Sequence, residues 1–178
     1  MANYKDIKGF KVQYLGQDPV PSVSGWSAGG NLNTARGQLA GAGIQTAALA
    51  FGGEAPPGVQ NSTEEYNGSS WTAGGNLGTA RNRIAGCGTQ DAVLAIGGAK
   101  PALATETEEY DGSSWTSGGA LPTATRGMAA AGTQTLAAAF GGIATADTNA
   151  TYEYDGSSWT AGGNLTTGRR YLSGCGTQ

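Results

Sequence analysis

The 178-residue chain has no histidine, two cysteines, two methionines and three phenylalanines. Without histidine there is no Ser-His-Asp or Cys-His catalysis, no histidine-ligated zinc or copper, and no charge switch near neutral pH. Charged residues make up 13% of the chain, the net charge is −3, and the densest basic cluster is Arg169-Arg170. That balance argues against nucleic-acid binding. No apolar run approaches the ~18 residues of a membrane span, so no membrane insertion is expected. Leu, Ile, Val and Phe together number 24, a share low enough to indicate disorder in a highly charged chain. This chain is not highly charged, so the composition points instead to a fold built from small residues and turns. Glycine is the abundant residue, at 32 of 178 against a usual ~7%.

Residues 1–22 differ from the rest. They hold three of the four lysines (Lys5, Lys8, Lys11) and little glycine. Charges interrupt the segment, so it lacks the apolar core of a secretory signal. Phe10–Tyr14 alternates apolar and polar residues, as a half-buried strand does, and Pro19 and Pro21 then break regular structure. Three readings are open: a disordered leader, an edge strand of this chain's own sheet, or an anchor that pairs with a partner protein. The anchor reading places its contacts at Ile7, Phe10, Val12, Tyr14 and Leu15.

The remainder, 23–178, is repetitive. Trp26, Trp71, Trp115 and Trp159 recur every 44 or 45 residues, each opening a cassette such as WTAGGNL. Arg36, Arg81 and Arg169 follow their tryptophans by ten residues, but Arg126 follows by eleven. A one-residue slip turns a side chain to the other face of a strand, so Arg126 is expected to differ in role. A Gly/Ala-rich stretch comes next and ends in Gly52-Gly53, Gly97-Gly98 or Gly141-Gly142. After a variable segment, Tyr66, Tyr110 or Tyr154 precedes Asn-Gly or Asp-Gly and the next tryptophan. This pattern predicts four short strands per unit, an all-β fold of four-stranded antiparallel sheets. Strand A is expected over about 37–42, a turn at 44–46, strand B at 47–51, strand C at 63–66, and strand D from the tryptophan. The Asn-Gly and Asp-Gly pairs predict tight hairpins in which those residues take positive φ. Three full units are expected at about 36–80, 81–124 and 125–168. Partial units flank them, with a D strand at 26–32 and an A strand at about 169–176. Three and a half units do not close a ring of four to eight blades, so the sequence is expected to be part of a longer protein or to close with other chains.

The residues Phe51-Gly52-Gly53, Tyr66, Trp71 and Arg81, repeated, resemble the kelch repeat, which implies β-propeller blades. The 44-residue period and the four-residue gap between Tyr66 and Trp71 are shorter than the usual kelch pattern. The YDGSSWTAGG-type cassettes behind an IKGFKVQYL leader also resemble kelch-like structural proteins of tailed bacteriophages. That resemblance implies a non-enzymatic fibre or appendage located in the virion. It would attach to other virion proteins through 1–22, with a host-surface receptor and a second copy of the chain as further partners. The alternative is a kelch-type protein- or glycan-binding module outside any virion.

No catalytic, metal or cofactor residue is assigned. Cys87 and Cys175 replace Ala42 and Ala131 of the other units and are expected to be small buried residues. Glu65 and its counterparts recur in each unit, whereas a catalytic pair is usually unique, so pairing with Arg36 or Arg81 is expected. The tryptophans and tyrosines at fixed repeat positions are expected to pack between blades rather than stack on sugars. The variable segments 54–62, 99–106 and 143–150 are the best candidates for receptor recognition.

Overall fold

The computed structural model describes residues 27–176. The proposed anchor residues and Trp26 lie outside that range. The described residues are all β, with no helix among them, and form three four-stranded antiparallel sheets with two small hairpins.

The first sheet contains β1 (Ala40–Ile44), β2 (Ala47–Phe51), β5 (Thr63–Tyr66) and β6 (Trp71–Ala73), in the order β1-β2-β5-β6. Its small hairpin is β3 (Glu54–Ala55) with β4 (Gly58–Val59). The second repeats this plan with β7 (Ala85–Thr89), β8 (Ala92–Ile96), β11 (Thr107–Tyr110) and β12 (Trp115–Ser117), and the hairpin of β9 (Ala99–Lys100) and β10 (Ala102–Leu103). The third has β13 (Ala129–Gly132), β14 (Ala137–Phe140), β15 (Thr151–Tyr154) and β16 (Trp159–Ala161). Within each four-stranded sheet the strands lie side by side in chain order, the antiparallel meander of a blade, and in the first two blades the small hairpin is inserted between its second and third strands.

Register explains the sequence pattern. Phe51 lies opposite Ala40 and Thr63, and Tyr66 lies opposite Trp71. The first strands of successive blades pack side by side, β1 on β7 and β7 on β13. Small residues are required there because the backbones approach closely. Phe51, Leu49, Leu77, Ile84, Val93 and Tyr110 build one core between the first two blades. Leu94, Ile96, Leu121, Met128 and Tyr154 anchor another between the second and third. The few large apolar side chains are therefore spent between sheets, where each serves two blades.

Several expectations need correction. Strand A runs Ala40–Ile44 rather than 37–42, and its turn is confined to Gln45-Thr46. The Asx-Gly connection is a four-residue loop, not a two-residue hairpin. Only its glycine has positive φ (Gly68 92°, Gly112 88°, Gly156 90°). The Asx side chain instead caps the loop: Asp111 Oδ1 accepts from the Ser113 and Ser114 amides at 2.9 and 2.7 Å. This side chain-to-backbone bonding is the reason Asn and Asp interchange at the position. Neither 27–32 nor 169–176 forms the expected strand, but 169–176 follows β13, with the Gly132 amide donating to Gly176 O at 2.9 Å.

Candidate functional site: the seams between blades and the variable face

The Gly-Gly pairs end the second strand of each blade. Gly52 and Gly53 both have positive φ, 63° and 102°. The Gly53 amide donates to Arg81 O at 2.9 Å, and a Cβ on Gly52 would stand 2.6 Å from that same oxygen. Only glycine fits so close to the connector that leads to the next blade. Gly97-Gly98 and Gly141-Gly142 repeat the arrangement, with Gly98 donating to Thr125 O and Gly142 to Arg169 O. The register thus makes Arg81, Thr125 and Arg169 equivalent. Arg126 sits one place beyond, where Asn82 sits in the preceding unit, and its amide donates to Ile143 O as that of Asn82 does to Ala99 O.

The arginine slot is an ion-pair site. Arg81 is wholly buried. It donates to Gly97 O at 2.6 Å, to Glu106 O at 2.9 Å and to Glu108 Oε1 at 2.6 Å. The other Glu108 oxygen accepts from the Gly78 amide at 2.7 Å. Burial lowers the Arg81 pKa, and the neighbouring Glu108 charge offsets only part of that. Arg36 and Glu64 form the same pair more loosely, at 3.2 Å, and Arg36 also donates to the Ser62 hydroxyl. The expected partner was Glu65, but the arginines select the preceding glutamate in each strand. In the third blade both partners change together: Thr125 replaces the arginine and Tyr152 the glutamate, and both are buried. Arg169 is exposed, and among the described residues its side chain bonds only Thr167 O.

Glu65 and Glu109 have a different partner. The Tyr154 hydroxyl donates to Glu109 Oε1 at 2.7 Å, and the Tyr110 hydroxyl donates to Glu65 Oε1, each tyrosine coming from the next blade. Desolvation, with the carboxylate bond added, raises both tyrosines to about 12. The tryptophans cross the same seam. Trp115 Nε1 donates to Thr63 Oγ1 at 3.0 Å and Trp159 Nε1 to Thr107 Oγ1 at 2.9 Å. The Trp115 ring lies 5.0 Å from Phe51 and 4.9 Å from Tyr110, centroid to centroid. Trp71 donates instead to Gly30 O and stacks on Tyr66.

Sequence reasoning missed four residues of the seam. Thr63 and Thr107 are the tryptophan acceptors. Gln90 reaches back to Ala48 O and Tyr66 O, and Gln134 to Val93 O and Tyr110 O. The invariant Gln in the G-x-Q turn was the available signal. Cys87 is buried, its thiol raised to about 12 by desolvation, but Cys175 is exposed, contrary to the expectation of burial for both.

Antiparallel order places the A–B turns and C–D loops on one face and the B–C segments and D–A connectors on the other. The variable B–C segments lie on this second face as the small hairpins β3–β4 and β9–β10, with a bridge between Ile143 and Asp147 in the third blade. They are tied to the connectors: Asn82 Nδ2 donates to Glu54 Oε2 at 3.0 Å, and Arg170 pairs with Asp147 at 3.5 Å. The first strands also line an open-sided channel, with a cavity of about 470 Å³ between segments 41–44, 86–89, 130–133 and 174–176. No protein-family model matches the chain, and no curated protein is similar enough to count as a relative.

Proposed function

We propose that the protein is a non-enzymatic, kelch-like structural protein of a virion, a fibre or appendage attached by residues 1–22 and contacting the host surface with its variable face. The observation that carries this reading is how the repeated polar residues are used. The carboxylates of Glu64, Glu65, Glu108 and Glu109 are each engaged by an arginine or tyrosine across or within a seam. They hold blades together, which suits a rigid display scaffold better than acid–base chemistry. The leader and the YDGSSWTAGG cassettes add the phage resemblance. The test is deletion of residues 1–22 followed by a count of the protein in purified particles. Loss of incorporation with retained folding is the expected result, and normal incorporation would refute the anchor. A binding module outside any virion is the second reading, and the channel mouth described next favours a ligand in either case.

A further inference from the structure

Four consecutive repeats place an equivalent residue at one mouth of the channel: Gln38, Arg83, Gly127 and Tyr171. All four have left-handed backbone, with φ of 55°, 52°, 62° and 55°. Non-glycine residues rarely adopt this conformation, and strain kept at one place is a pointer to function. A backbone ladder fixes it. The Arg83 amide donates to Gln38 O, the Gly127 amide to Arg83 O and the Tyr171 amide to Gly127 O, each at 2.8–2.9 Å. While the backbone is constant, the side chain changes at every repeat, from amide to guanidinium to none to phenol.

These side chains surround a cavity of about 270 Å³ over an apolar floor that includes Ile84 and Met128. Tyr171 is 61% exposed. A Cβ on Gly127 would meet the Tyr171 ring at 3.1 Å, so the glycine leaves room for that ring to lie across the mouth. Arg83 donates through Nε to Gln38 Oε1 at 2.7 Å, and its terminal amines have no carboxylate partner among the described residues. The guanidinium is thus oriented by a neutral amide, with its charge open to a ligand. The Arg170 guanidinium, itself paired with Asp147, lies 5.9 Å from the Tyr171 centroid.

We infer that this mouth binds a carboxylated saccharide, with the carboxylate on Arg83 and the apolar face of the sugar ring on Tyr171. The ladder consumes the backbone amides of residues 83, 127 and 171. Apart from the Gln38 backbone amide, the ladder leaves side chains to read the ligand. A peptide brings backbone groups that need partners of their own, whereas a hydroxyl-rich ring is served by the Gln38 amide and the guanidinium. The inference stands apart from the virion reading, because it rests on residues 38, 83, 127 and 171 and on nothing in residues 1–22.

The test is calorimetric titration of the full chain with sialyllactose and tetragalacturonate, against neutral lactose and galactotetraose and against pentaglutamate. Saturable binding of an acidic saccharide, at least tenfold tighter than its neutral counterpart, is expected. A charge-assisted hydrogen bond sets the size of the mutational effect: Arg83→Gln lowers affinity for the acidic ligands about tenfold to a hundredfold and leaves the neutral ones unchanged. Tyr171→Ala weakens both kinds, and unchanged melting temperatures show that the variants fold. The site is overturned if no acidic saccharide saturates, if Arg83→Gln binds as tightly as the parent, or if pentaglutamate binds as well as the saccharides.

Discussion

Asp111 and Asp155 show what a single residue contributes to this fold. Each carboxylate collects two amide and two hydroxyl donors from the serines that follow it. These bonds, the Ser114 and Ser158 amides first, hold both acids down to about 2. An unfolded aspartate titrates near ~3.9. A depressed folded pKa gives stability that is present above the unfolded value and lost as the pH falls through the folded one. The loops therefore lose stability between about pH 4 and pH 2. The first blade has Asn67 in the same place, with its Oδ1 accepting from the Ser69 and Ser70 amides. Asp111→Asn with Asp155→Asn should fold normally and flatten the acid limb of the melting curve over that window. An acid limb as steep as the parent's would show that other carboxylates govern it. The Asx-Gly dipeptide revealed the loop in the sequence but not its type, since a two-residue turn and a side-chain-capped loop share that dipeptide.

At the scale of elements, most strand positions and the pairing order were readable because the repeat supplies three or four copies of each signal. The seam was not, because it joins residues 24 to 52 apart whose spacing carries no local periodicity. Glu64 and Glu65 are adjacent, and pleating alone decides which one faces the arginine. The third blade shows the consequence in natural form, with Thr125 and Tyr152 in place of the pair. Breaking a buried pair by removing one partner costs about 3–5 kcal/mol, while replacing both by well-packed groups is often neutral. Arg81→Thr alone should therefore destabilise by about 3 kcal/mol or more, because it strands the Glu108 charge. Adding Glu108→Tyr, which copies the third blade, should restore most of that loss. Denaturant melts of both single variants and the double variant give the coupling directly, and simple additivity would mean the two positions are independent. Trp115 and Thr63 are a weaker version of the same logic. Thr63→Val leaves a half-buried indole N–H without its acceptor and should cost about 1 kcal/mol.

For the whole molecule, the scarcity of large apolar residues takes on a structural meaning. Each blade is too thin to bury a core alone, so stability comes from nearest-neighbour interfaces, as in other repeat arrays. The class of fold was legible from the tryptophan period and the Gly-Gly pairs. The channel mouth was not, because residues 38, 83, 127 and 171 share a backbone conformation and no side-chain type, and left-handed φ leaves no mark in Gln, Arg or Tyr. Burial also differs along the array. In β8 of the middle blade Val93, Leu94, Ala95 and Ile96 are wholly buried. In β14 of the third blade buried and half-buried residues alternate, and in β2 the first two residues are half-buried. The middle blade has a seam on both sides, with Gln90 and Trp115 reaching back and Gln134 and Trp159 reaching in. Opening it breaks two interfaces, whereas opening an end blade breaks one among the described residues. Local opening free energies follow such differences. Amide exchange should be slowest in Ala92–Ile96, faster in Ala47–Phe51 and Ala137–Phe140, and Trp159→Ala should speed exchange in the third blade more than in the first. Equal protection in all three blades would show that the array opens as one unit and that the seams are not its weakest points.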